Sequence, residues 1–344
     1  MRFSSPPGIY VHMHTSRLLI ALGAFAISGW AQSSAGVAGP VTGFVFDGQL
    51  GALRPMLGIP GAAYLGSVVA GGMDAASVAP DGSAALGVQL RGKLMLYSGL
   101  RKGQTLALAV SGAIADADHF AWAANSGSAA VYSSRAGQAQ ILTTLAPTPL
   151  AAAPIDLSSL PGQVTALAFD GQHVIVAVAS GESGGIYLSG PSAGIQRIAS
   201  AVNPSAIALA GNDLYFADSG AQQIVEVRNY ANTPAAVLFA NDSGINSPAG
   251  LQVSADAQRL YVANAGSRKL VVYQIASRSP EQSLDLAVTP TRLERFGDAS
   301  AYVVNSGAKE PLYVVRDGGP GKAAVYFVPS PGKPRPLRAP IRPA

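Results

Sequence analysis

The sequence predicts an all-β protein, a β-propeller of four-stranded blades, and three observations carry that prediction. A unit of short strands and tight turns recurs along residues 41–329. Glycine (39) and proline (24) are plentiful, as many short strands joined by tight turns require. No long stretch shows the 3.6-residue apolar period of an amphipathic helix. Four-stranded repeats spaced by roughly 35–55 residues suit a ring of sheets, each burying both faces against its neighbours. A β-sandwich is the rival architecture, but it needs no repetition at the level of sequence.

Residues 247–277, SPAGLQVSADAQRLYVANAGSRKLVVYQIAS, are the clearest copy. Leu251 and Val253 alternate with Gly250 and Gln252, the period of a strand packed on one face. The polar residues 254–258 turn the chain. Residues 260–263 form a second β-rich run, ended by Asn264-Ala265-Gly266, and residues 270–273 form a third. Further copies begin at residues 74, 114, 164, 204 and 290, with fourth strands at 105–110, 140–145, 195–198, 236–239, 283–286 and 323–328. In the copy at 114–132, FAWAANSG aligns with LYVANAG, which makes it a second strand and its following turn. Residues 41–46 and 52–57 form a hairpin about Asp47-Gly48 and read as the last two strands of a repeat. Burying VTGFVF requires partners on both sides, so seven blades are expected, with six as the alternative.

The segments DLYFADSG and RLYVANAG, each preceded by a Pro-x-x-[Ile/Leu] strand, resemble the YVTN and NHL repeats of bacterial β-propellers. The resemblance covers residues 41–330 and is closest at 204–227 and 248–273. It implies a propeller whose ligands bind at one mouth of the channel. That superfamily includes lactonases, binding scaffolds and cell-surface proteins, so the resemblance implies no single activity.

The ends of the chain read differently from the body. Arg17 precedes an apolar run over residues 18–27, with Gly29 and Ala31 placed for cleavage before Gln32. Residues 1–31 therefore read as a signal peptide, with Met1 or Met13 as its start, and the run is short for a membrane span. Residues 32–40 read as a small-residue linker. The tail, 330–344, is proline-rich and basic and reads as an extended, solvated terminus. Export to the periplasm or the extracellular space follows, with no membrane span left after cleavage.

The formal charge is +4, from 23 basic and 19 acidic residues. Arg2 and Arg17 lie in the leader, and Lys333, Arg335, Arg338 and Arg342 in the tail. Without those six, the body has 17 basic residues against 19 acidic, and no basic stripe for nucleic acid. The absence of cysteine excludes disulfides, thiolate metal sites and a cysteine nucleophile.

Candidate chemistry sits at the channel mouth, in the loops leading into first strands and the turns between second and third strands. Asn125, Asp218, Asn264 and Asn305 align at one such turn, and Asn203 and Asn246 lie in lead-in loops. Such a ring of amides with one carboxylate would hold a sugar or Ca²⁺, which takes oxygen ligands. The plainer expectation is that Asn and Asp close the turns by bonding their own backbone. His119 and His173 align beside first turns, on the far side from the mouth, and two histidines on separate blades make no general base with a partner nucleophile.

Arg292 and Glu294 break the repeat where other first strands carry small or neutral residues. As i and i+2 on a strand they share a face and can pair near the channel. Gluconolactonase-type propellers hold a divalent metal with Glu, Asn and Asp. Here Asn203 and Asn246 match those positions loosely, and no Glu stands in 41–46 or 60–74. No cofactor is expected. Trp30 and Trp122 are the only tryptophans, too few to stack a quinone cofactor. The reading is an exported binding or scaffold module for a protein, a glycan or a small ligand, with a metal-dependent lactonase-like hydrolase as the alternative.

Overall fold

The computed structural model describes residues 39–59, 61–145, 148–190, 194–305 and 311–329. The expected signal peptide and basic tail lie outside the described residues. So does all of the expected linker but Gly39 and Pro40. The strands assemble into seven antiparallel sheets, the blades of a propeller. Among the described residues, helix is limited to two 3-10 turns, Leu100–Lys102 and Gly181–Ser183. None is long and apolar enough to cross a membrane.

Blade 6 shows how the sequence builds each unit. Its strands are Pro248–Val253, Arg259–Asn264, Lys269–Gln274 and Ser279–Asp285, paired in that order from the channel outward. The second strand is buried at every position, because sheets cover both of its faces. That is why it reads as a continuous run, Leu-Tyr-Val-Ala, where the outer strand is largely polar and exposed. Blades 4 (163–200), 5 (204–240) and 7 (294–328) repeat the order, as does blade 2 (73–109).

Seven apolar clusters, one between each pair of neighbouring blades, form a continuous ring of core. Leu260 and Val262 of blade 6 pack on Ala206, Ala208 and Tyr215 of blade 5. Phe296 and Val314 of blade 7 pack on Val45, Met56 and Leu65 of blade 1, which closes the circle. Among the described residues, each blade is drawn from one continuous stretch of chain, and face-to-face apolar packing closes the ring.

Two local readings of the sequence are corrected. In blade 3 the run His119–Trp122 is the first strand, not the second, and Gln138–Thr144 is the third, not the fourth. Trp122 donates to Ser77 on the first strand of blade 2, and the turn at Ser126 meets the first turn of blade 2 at Asp81. Ala-rich sequence fits both strand positions, so the alignment slipped by one strand. In blade 1 the hairpin Val41–Asp47 and Ala52–Leu57 supplies second and third strands, not the last two. Its turn lies against the start of blade 2, where Met73 donates to Gly51. Other blades place their second-to-third turn there, as Ser247 of blade 6 donates to Gln222 of blade 5. Two short strands, Tyr64–Leu65 and Ala70–Gly71, complete the sheet on its outer side. The buried Arg54 fixes them through Gly66 O (2.8 Å), Leu65 O (3.1 Å) and Asp47 (3.0 Å).

Polar staples sit at the far ends of the blade interfaces. Arg259 of blade 6, nearly buried, bonds Asp317 of blade 7 at 2.9 Å and Asp256 of its own first turn at 3.1 Å. Tyr302 lies in the same interface with its ring centroid 5.0 Å from that of Tyr261, and burial pushes its hydroxyl up to about 12. Asp317→Ala removes the buried one of the two carboxylates on Arg259 and leaves Asp256, so it is expected to lower stability in urea unfolding by about 1.5–3 kcal/mol. Adding Arg259→Met to that variant is expected to recover most of the loss.

Candidate functional site

The mouth face carries one recurring cap, a short Asp or Asn at the end of the second strand in blades 1, 5, 6 and 7. Asp218 is almost wholly buried and accepts four backbone N–H groups. Val202 and Asn203 donate from the lead-in loop at 2.8 and 2.9 Å, and Gly220 and Ala221 from the turn at 3.1 and 3.2 Å. Asn264 does the same work in blade 6, accepting from the Asn246 amide at 2.9 Å and donating to Val262 O at 3.3 Å. Asn305 accepts from Tyr313 N and donates to Pro311 O, each at 2.9 Å. These three side chains aim into their own turns rather than into the channel.

The structure adds members that the sequence alignment missed and removes one. Asp47 caps the blade 1 turn through Gln49 N and Leu50 N at 3.1 and 3.2 Å. Four residues after the cap, Gly51, Gly137, Gln222 and Arg268 all adopt φ between 51° and 64°, a spacing that identifies the turn in blades 1, 3, 5 and 6. In blade 3 the cap position is therefore Ser133. Asn125 instead closes a first turn on the far face, by accepting from Gly127 N at 2.9 Å. The fixed spacing from cap to left-handed residue was the legible signal, but Gln and Arg at that residue hid it.

Asn203 and Asn246 are exposed on the mouth face. The Asn203 side chain donates to Ser219 Oγ at 2.8 Å, and Ser219 Oγ donates back to Asn203 O at 2.9 Å. Asn246 O accepts from Gly266 N at 3.1 Å. Each therefore ties its lead-in loop to its own blade's turn. Among the described residues, no three His, Asp or Glu side chains converge as a metal site would require.

His119 lies at the mouth end of its strand, a correction that follows from the blade 3 register. Its Nδ1 is 2.8 Å from Asp118 Oδ1, and Asp118 also accepts from Ser134 N. Burial and then the Asp118 charge push the neighbouring Tyr132 hydroxyl up. No described hydroxyl is hydrogen-bonded to the other imidazole nitrogen. His173 stays on the far face as expected, 2.8 Å from Asp170. Burial alone would raise Asp170, but His173, Gln172 and Tyr230 donate to it and hold its carboxyl below the usual range.

Arg292 and Glu294 form an ion pair at 3.1 Å beside the channel. Arg292 also donates to Asn305 O at 3.4 Å, while its Nε is buried without a partner. Arg295 turns toward blade 6 and donates to Val253 O at 3.1 Å, at a shift in strand register. The pair borders a small cleft between the first strands of blades 7 and 2, backed by Phe44, Val45 and Phe46.

Fold and site together define a seven-bladed propeller whose mouth carries structural caps and one channel-side ion pair. No protein-family model and no curated protein matches the chain. Solved structures do. A 6-phosphogluconolactonase-like protein of Bacteroides fragilis is 12% identical with a TM-score of 0.61, over 84% of this chain and 94% of that one. Hydrazine synthase of Kuenenia stuttgartiensis is 9% identical with a TM-score of 0.58, over 84% and 99%. A chain of a nidogen–laminin complex is 10% identical with a TM-score of 0.50, over 70% and 92%. At these identities the likeness is one of fold.

Two measurements check the site. Removing the Asp218 acceptor strands four amides, so Asp218→Ala is expected to cost about 2–3 kcal/mol in denaturant unfolding. Asn125→Ala, on an exposed first turn, should stay within about 0.5 kcal/mol of the parent. Because Asp170 is held below its ordinary value of 3.8, its contribution is present above that pH and is lost as pH falls through the lower folded value. Asp170→Asn should therefore flatten the acid limb of a stability–pH curve below about pH 4 and leave its shape above pH 5 unchanged.

Proposed function

We propose that this chain is an exported, YVTN/NHL-like propeller that acts as a binding or scaffold module without catalytic turnover. The capping Asp and Asn side chains of the mouth face are engaged in closing turns, and among the described residues no hydroxyl is hydrogen-bonded to His119. Residues 18–31 carry the features of a cleaved leader, and this supports a periplasmic or extracellular site of action.

Of protein, glycan and small-ligand partners, a protein is favoured by one observation. Large exposed apolar side chains are most numerous in two consecutive blades, 1 and 2. Ile59, Tyr64 and Val68 are exposed in blade 1, Leu106 and Leu108 in the outer strand of blade 2, and Phe327 in the outer strand of blade 7. Exposed apolar side chains gathered in one sector mark protein contacts more often than sugar or ion sites. A metal-dependent lactonase would need a carboxylate-rich cluster at the mouth, and the likeness to a lactonase-like propeller extends only to fold.

Two assays test this reading. The purified exported chain should open neither gluconolactone nor 6-phosphogluconolactone above the uncatalysed rate, with or without added Ca²⁺ or Zn²⁺. Metal-dependent turnover would reverse the proposal. Leu106→Glu with Leu108→Glu should leave the thermal midpoint nearly unchanged and abolish retention of a protein partner in pull-downs from the native envelope. Undiminished retention would place the contact elsewhere.

A further inference from the structure

On the far face, the connection between third and fourth strands ties one blade to another that precedes it. Tyr230, in that connection of blade 5, donates to Asp170 in the first turn of blade 4 at 2.8 Å. Arg278 of blade 6 donates to Glu226 and to Leu238 O of blade 5 at 2.6 and 3.0 Å. Asp317 of blade 7 accepts from Arg259 of blade 6 at 2.9 Å. Each of these ties joins immediate neighbours. Blade 2 breaks the rule. Its Arg101 donates to Gly297 O, in the first turn of blade 7, at 2.6 Å. Blade 1 packs between the two, so this bond reaches across it.

The surroundings of the bond are shaped to admit it. Arg101 sits in the 3-10 turn Leu100–Lys102, and Leu100 is buried in the core between blades 1 and 2. Leu100 N donates to Ser83 O at 3.3 Å, which holds this turn against the first turn of blade 2. From there the guanidinium passes over Gly82, where a Cβ would stand 3.3 Å from Arg101 Nε. At the other end Gly297 rests on the start of blade 1, and a Cβ there would meet Thr42 O at 2.1 Å. Gly43 lies against the Phe296 ring, which a Cβ would approach to 2.7 Å. Blades 7, 1 and 2 are thus seated on one another through glycine, and Arg101 crosses the stack.

Connectivity gives this bond a special place. Every other pair of neighbouring blades is joined by the chain itself. Blade 7 ends at Val328 and blade 1 starts at Val41, so their interface has only non-covalent contacts to hold it. Blade 2 follows blade 1 directly in the chain and moves with it. Parting blade 7 from blade 1 must therefore also break the bond from Arg101 to Gly297. We propose that Arg101 is the clasp of the ring, holding blade 7 to blade 2 across blade 1 and setting how readily the ring opens along that seam.

Native-state hydrogen exchange of the purified chain tests the clasp. Arg101→Met keeps a stem over Gly82 and removes the donor. Exchange in the strands facing the seam, Val41–Asp47 and Leu312–Arg316, should rise about tenfold, as the loss of one charge-assisted hydrogen bond from an opening equilibrium implies. Exchange in Asp213–Asp218 of blade 5 should not change. Arg278→Met removes a tie between blades that the chain also joins, and it should leave the seam as slow as in the parent. Equal seam exchange in the Arg101→Met and parent chains would overturn the proposal, as would acceleration confined to residues 99–105. If Arg101→Met does not fold, the parent chain decides by nitrogen-15 NMR. A clasped guanidinium gives separate Nη signals from hindered rotation, and a freely rotating one would overturn the proposal. The outcome is independent of the proposed partner binding, which rests on Leu106 and Leu108.

Discussion

Each blade is stable only because its two faces are covered by the next blades, and this mutual burial governs the remaining structure. An isolated four-stranded sheet with apolar residues on both faces would expose Leu260 or Tyr261 on one side or the other. In the ring both are fully buried. At about 25 cal/mol per Å² of apolar surface, such burial is the dominant favourable term. The requirement is circular, since the last blade needs the first. It explains why the atypical blade 1 keeps Val45, Met56 and Leu65 facing blade 7 and Phe44 and Leu53 facing blade 2. Its outer strand is broken in two, yet its inter-blade contacts persist.

The same constraint explains the polar residues of the mouth. Where a buried second strand ends, its backbone must leave the core through a tight turn, and unmet N–H groups there are costly. A short side chain with an acceptor oxygen meets them, which is why Asp47, Asp218, Asn264 and Asn305 recur. Asp218 and Asn264 also take amides from the loop leading into the same blade's first strand. One residue thus fixes the spacing between the inner strand and the turn. A ring of amides that looks like a ligand cage in sequence is a ring of fasteners in space.

What the sequence revealed follows from the same physics. Blade number, the Asp47-Gly48 hairpin and the strands of blades 4 to 7 were legible because doubly covered strands leave continuous β-branched and aromatic runs between turn residues. Blade 3 was misread by one strand. Its central run, Ala129-Ala130-Val131, is as short and small as its first, so neither hydrophobicity nor size distinguishes them. That slip moved Asn125 to the wrong face and His119 to the far one. The order of strands in blade 1 was hidden for a different reason. A strand's place in a blade is set by what pairs with its edges, and sequence periodicity reports only its faces.

Function then has to lie where copies differ for reasons the fold does not supply. Most departures here have a structural account: Ser133 replaces an Asp cap because Asp118 reaches the same turn from the lead-in loop, and Arg295 spans to Val253 O where a smaller side chain could not. Two do not. Glu294 is half exposed although it pairs with Arg292, and it adds no contact between blades. The apolar side chains on the outer strands of blades 1 and 2, Tyr64, Leu106 and Leu108, sit where blade 6 carries the exposed polar run Ser279–Asp285. The ring itself gains nothing from exposing Leu106 or Leu108 to water. The channel-side pair and the apolar sector belong to the same arc of the ring. That arc is also where the blade architecture is least regular.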